Sequence, residues 1–66
     1  MTIDERTNLI MEYETGEITD ANVLKLFANL IKTGLAWTLQ GSYGRAAERF
    51  IEDEWITKDG KITEKD

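Results

Sequence analysis

Between Thr19 and Gly34 the chain places Val23, Leu24, Leu26, Phe27, Ala28, Leu30 and Ile31 close together, and no other feature restricts its folding as strongly. These residues recur at helical spacing, but they cover a far wider arc than the single stripe of a surface helix. Only Lys25, Asn29 and Lys32 are left for solvent. A helix of this kind must touch neighbours on two sides, so the remaining segments are expected to wrap around it. Its ends are marked as well. Thr19 is placed to serve as N-cap, Asp20 suits the positive end of the helix dipole, and Ile18 can staple to Val23 across the cap. At the other end Lys32 complements the C-terminal dipole, Gly34 suits a left-handed position, and Leu35 can fold back onto Leu30.

The flanking segments follow from similar signals. Thr2 and Glu5 have capping-box spacing, which predicts a short helix over about 3–14 with a narrow stripe of Leu9, Ile10 and Tyr13, closed at Gly16. Leu35 to Gln40 reads as a short helix, or a turn and a half, centred on Trp37 and interrupted at Gly41. Ser42 is placed to cap a third helix over 42–54. Tyr43, Ala46, Ala47, Phe50 and Ile51 form its inner face, and Arg45, Glu48, Arg49 and Glu52 its outer one. Asp59-Gly60 between β-branched flanks has the signature of a type I′ hairpin. An isolated hairpin is weak in water, so this one must lean on the helices through Trp55, Ile56 or Ile62. Phe50 and Trp55 are expected in the core, and Glu64, Lys65 and Asp66 are expected to fray. The expected fold is mainly α: one small domain over 1–66, three or four helices, and a C-terminal β-hairpin as an added element.

With 66 residues the chain has room for one modest core, and a stability of about 3–5 kcal/mol is expected. There is no cysteine and no histidine. That removes disulfides, thiolate and imidazole metal sites, and every nucleophile–histidine pair. Glu52, Asp53 and Glu54 are consecutive and therefore point in different directions around a helix. Gly41-Ser42-Tyr43-Gly44 lacks the Gly-Lys-Ser/Thr ending of a phosphate loop and reads as a helix start. The expectation is a protein that is not an enzyme, with no cofactor and no metal. The N-terminus is acidic where a signal peptide is basic, and no apolar run is long enough to span a bilayer, so no membrane association is expected.

What remains is binding. The net charge of −5 is unevenly placed. Residues 1–20 carry six carboxylates against Arg6, whereas 21–51 carry Lys25, Lys32, Arg45 and Arg49 against Glu48 alone. Residues 52–66 are acidic again. Two readings compete. In the first, Trp37, Gln40 and Tyr43, with Arg45 and Arg49, contact another protein, because tryptophan, tyrosine and arginine are enriched where interfaces are strongest. In the second, Leu35, Ala36, Leu39, Gly41, Ser42 and Ala46 or Ala47 pack a helix-turn-helix. Helix 42–54 then reads DNA through Arg45 and Arg49, and the hairpin serves as a wing with Lys58 and Lys61. Acidic flanks repel duplex DNA, which favours the first reading. The apolar excess of the central helix also predicts a homodimer.

The segments Tyr13-Glu14-Thr15-Gly16-Glu17-Ile18, Leu26-Phe27, Leu30-Ile31 and Thr33 through Arg45 carry a further signal. Together they resemble a family of small, uncharacterised proteins encoded by tailed bacteriophages and prophages. The shared pattern is a Gly-x-Ala-Trp-x-Leu-Gln-Gly-x-Tyr-Gly-Arg core followed by an Ile-Glu pair, here Ile51-Glu52. The likeness covers roughly residues 8–56. Beyond it, this chain runs on through Trp55 into the Asp-Gly turn in place of the family's short ending. The resemblance implies a phage accessory protein in the cytoplasm of an infected bacterial host. It implies no catalytic activity. Combined with the charge and aromatic pattern, it leads to the expectation of a protein that regulates or inhibits a host or phage protein by binding it.

Overall fold

The wide apolar arc does form the centre of the molecule. In the computed structural model, which describes residues 1–63, three helices α1 (Ile3–Thr15), α2 (Asp20–Thr33) and α3 (Gly41–Glu52) are joined with one 3₁₀ turn, Leu35–Trp37. Leu26, Phe27, Ala28, Leu30 and Ile31 of α2 are all buried, and α1, the 3₁₀ turn and α3 supply most of their cover. The radius of gyration, 10.9 Å, is that of a fully compact chain of this length, about 11 Å. The frayed end expected for Glu64, Lys65 and Asp66 lies outside the described residues.

Local caps account for the boundaries of the first two helices. The Thr2 hydroxyl oxygen accepts from the Glu5 amide at 3.1 Å, and the Thr19 hydroxyl oxygen accepts from the Asn22 amide at 3.2 Å. Each satisfies a donor the first turn would otherwise leave unpaired. α1 ends in a Schellman motif: Glu17 N–H donates to Glu12 and Gly16 N–H to Tyr13, with Gly16 at φ +81°. α1 itself has no fully buried residue and is held by the partly buried Leu9, Ile10 and Tyr13. Aromatic rings tie the three helices together. Phe27 lies 5.3 Å from Tyr13, 6.1 Å from Tyr43 and 5.2 Å from Phe50, centroid to centroid.

Four expectations need correction. Asn29, assigned to solvent, is half-buried, and its amide oxygen is enclosed without a hydrogen-bond partner. α3 begins at Gly41 with Gln40 as N-cap, so Ser42 lies inside the first turn and does not cap it. α3 also stops at Glu52, two residues early. Glu54 adopts φ +64° and builds a second Schellman end, with Trp55 N–H donating to Phe50 and Glu54 N–H to Ile51. A non-glycine residue in this region costs about 1 kcal/mol, and because a glutamate stands there the sequence carries no glycine signal for this boundary.

The fourth correction concerns the tail. The expected C-terminal β-hairpin is not formed: among the described residues there are no strands, only an isolated antiparallel bridge between Ile56 and Ile62. A type I′ turn needs positive φ at both central residues, but here Gly60 alone is positive, at +84°, and Asp59 is not. The turn is closed by Gly60 N–H to Thr57 and Thr57 N–H to Lys61. Strand pairing yields to docking, because Gly60 is pressed against α2. A Cβ built on Gly60 would lie 2.5 Å from the Ala28 carbonyl oxygen and 2.6 Å from the Lys32 nitrogen. Ile56, only 1% exposed, enters the core in place of Trp55, which is 42% exposed. The tail thus covers the Ala28 side of α2. Of the seven apolar residues of the arc, five are buried within the chain, and Val23 and Leu24 remain half-buried.

Candidate functional site

The connection from α2 to α3 is a corner whose backbone is closely held. Trp37 N–H donates to Gly34, and both Thr38 N–H and Leu39 N–H donate to Leu35. The Thr38 hydroxyl donates to the Leu35 carbonyl as well, at 3.1 Å. Ala36 plugs the corner into the core, at 1% exposure. Its neighbour in so tight a turn must point away, and Trp37 is accordingly 50% exposed, with Leu39 at 37%. The turn lies beside α3 at Gly44, where a Cβ would meet the Ala36 carbonyl oxygen at 3.5 Å and Trp37 Cε3 at 3.9 Å, both ordinary contact distances. The indole ring therefore rests against the flank of α3, held by a hydrogen-bonded turn.

Of the residues expected to contact a partner, Trp37, Gln40, Arg45 and Arg49 are exposed. Arg45 and Arg49 lie one turn apart on α3 and share a shallow outer groove with Ala46, Glu48 and Glu52. Tyr43 does not join them. It is 5% exposed, and its hydroxyl donates to the Glu14 carboxylate at 2.9 Å, linking the first turn of α3 to the last turn of α1. Burial, then the hydrogen bond and charge of Glu14, and then Tyr13, push its pKa up to about 12. A phenol held in this way positions α3 and cannot serve as an exposed anchor. Leu39, counted as a packing residue from the sequence, is instead the second apolar side chain of the exposed corner.

Little else in the structure offers chemistry. Glu52, Asp53 and Glu54 are all exposed. Among the described residues no group of three or more carboxylates could hold a metal ion, and no helix is long and apolar enough to cross a membrane. The glycine-bearing segment from Gly41 to Gly44 is the first turn of α3. The tail does not project as a wing, since Gly60 packs onto α2.

Comparison with known proteins adds a family and nothing more specific. The family described as a domain of unknown function (DUF7417) matches residues 3–66, and the chain belongs to it. No curated protein and no solved structure matches the chain.

Proposed function

We propose that this DUF7417 member is a non-enzymatic accessory protein of a phage or prophage, acting in the cytoplasm of the infected host. It binds a host or phage protein through the Trp37 corner and so regulates or inhibits it. The observation that carries this reading is the half-exposed Trp37, displayed beside Leu39 on a hydrogen-bonded turn. A large apolar ring already held in place loses little freedom on binding, which is what makes tryptophan effective at the centre of an interface. Gln40, Arg45 and Arg49 supply a polar border. The phage setting rests on the sequence resemblance.

The test is capture of a partner from host lysate by the wild-type protein and by Trp37→Ala. Loss of an anchor at the centre of an interface costs about 2 kcal/mol or more, roughly a thirtyfold weakening. Capture should be lost while the helical signal and the unfolding transition persist. Equal capture by the variant would defeat the reading.

The exposed pair Arg45 and Arg49 on α3 supports the competing reading, a small DNA-binding regulator. Its mark is affinity for duplex DNA that falls steeply with salt and is lost when both arginines become alanine. Glu48 and Glu52 on the same outer face, together with the docked tail, favour protein binding. Weak duplex binding at physiological salt is expected.

A further inference from the structure

The Trp37 ring and one guanidinium lie against the same face of α3. A Cβ built on Gly44 would meet Trp37 Cε3 at 3.9 Å, and a Cβ built on Gly41 would meet Arg45 Nη1 at 3.5 Å. Positions three apart on a helix are neighbours, about 5–6 Å between Cβ atoms, so the two groups occupy adjoining spots. The Arg45 side chain therefore leans back along α3 towards the corner, the direction in which helical side chains point. Its residue is exposed, the first turn of α3 contains no acid, and among the described residues no ion pair engages it. The same corner exposes Trp37 and Leu39. An apolar pair thus adjoins an unanswered positive charge, in a protein whose net charge is −5.

Those features select the chemistry of the partner. A purely apolar segment leaves the guanidinium unanswered, and a basic one is repelled by it. A nucleic acid brings negative charge but repeats it, and Arg45 shares its outer groove with Glu48 and Glu52, which repel a run of phosphates. A protein segment with one carboxylate beside an apolar side chain answers both halves. Its carboxylate accepts charge-assisted hydrogen bonds from the guanidinium, and its apolar side chain covers Trp37 and Leu39. We propose that the Trp37 corner docks an acidic segment of a partner protein, with an Asp or Glu of that segment paired to Arg45. This rests on the reading of the corner as a binding surface and adds to it the charge of the partner.

The experiment uses Trp55→Phe protein, in which Trp37 is the sole tryptophan. It is titrated with a short synthetic peptide of alternating leucine and glutamate, and with a leucine–glutamine counterpart. The net charge of the protein repels the first peptide, so a preference for it can come only from a local cation. The glutamate peptide should shift Trp37 emission saturably and bind about tenfold tighter than the glutamine peptide. Arg45→Gln should remove that tenfold difference. Lys25→Gln, which removes an equal charge from α2 in a groove shared with Glu5 and Glu12, should change it by no more than about twofold. If circular dichroism shows that Arg45→Gln disturbs α3, then Arg45→Lys decides, since it keeps the charge and must keep the preference for glutamate. Equal binding of the two peptides overturns the proposal but leaves Trp37 as an apolar anchor. Equal weakening by Lys25→Gln overturns it as well, and so does the absence of any shift, while capture by wild type but not by Trp37→Ala still decides the anchor separately. A saturable shift with a short DNA duplex, lost in Arg45→Gln, overturns it in favour of phosphate. A shift that follows protein concentration without peptide also overturns it, and assigns the corner to a second copy of the chain.

Discussion

The corner after α2 and the turn after α3 are built alike and depend on glycine in opposite ways. Each leaves its helix through a left-handed residue, Gly34 or Glu54. Each buries one small or branched side chain, Ala36 or Ile56, and exposes the tryptophan beside it. In the corner the close approach is a turn against a helix flank, and a Cβ on Gly44 would sit at ordinary contact distance, 3.5 Å. In the tail the approach is backbone against backbone, and a Cβ on Gly60 would overlap α2 at 2.5 Å. A glycine signal in sequence does not say which of these it marks. The difference shows that the exposed corner is the more tolerant connector, and that the tail, on the far side of α3 in the chain, is an integral part of the core.

Gly60→Ala tests that contrast most severely. A methyl group must displace either the tail or α2, at a residue already at φ +84°. The expected cost is about 4 kcal/mol, which would remove most of the stability of so small a domain. Urea unfolding measures it, and a loss below about 1 kcal/mol would show that the tail is not docked as described. Ile56→Ala should follow, at about 3 kcal/mol, because it empties a site that is 1% exposed. Trp55→Ala, next to it, should cost far less.

Tyr43→Phe probes the strut from the last turn of α1 to the first turn of α3 and should cost about 1 kcal/mol, the net worth of one hydrogen bond. It also carries a pH signature. The phenol is held neutral in the folded state, with its pKa raised from 10.0 to about 12, so the folded form retains a proton that the unfolded chain gives up. Stability is therefore full below pH 10 and declines as pH rises from 10 towards 12. The phenylalanine variant should lack that component of the decline, and identical alkaline profiles for the two proteins would refute the assignment. The smallest effect is expected for Gly44→Ala. Replacing a glycine inside α3, where the added methyl group has room, should stabilise the protein by about 0.5 kcal/mol. Destabilisation would mean that Trp37 and Ala36 lie closer to α3 than ordinary contact.

Much of the architecture was legible because it depends on neighbours in the chain. Thr2, Thr19, Gly16 and Gly34 act on backbone groups within a few residues, so the bounds of α1 and α2 could be read locally. The breadth of the α2 arc correctly required cover on more than one side. Among the candidate site residues, helical periodicity put Arg45 and Arg49 on the outer face of the third helix, whereas for Trp37, beside a glycine turn, core and surface were evenly balanced in the sequence.

The remaining features depend on contacts between distant residues. Glu14 meets Tyr43 across 29 positions, and no local pattern announces that a helix-end acid will accept from a core phenol. Asp59-Gly60 carries a hairpin signal, yet α2 offers Gly60 a backbone surface to pack on, and that contact prevails over strand pairing. Which of Trp55 and Ile56 enters the core is set by the left-handed Glu54, where a glutamate holds the conformation usually left to glycine. Caps and periodicity are encoded over one or two helical turns and can be read from the chain itself. Which surface covers which is decided by competition for the same buried space, and that is settled only when all the segments are present together.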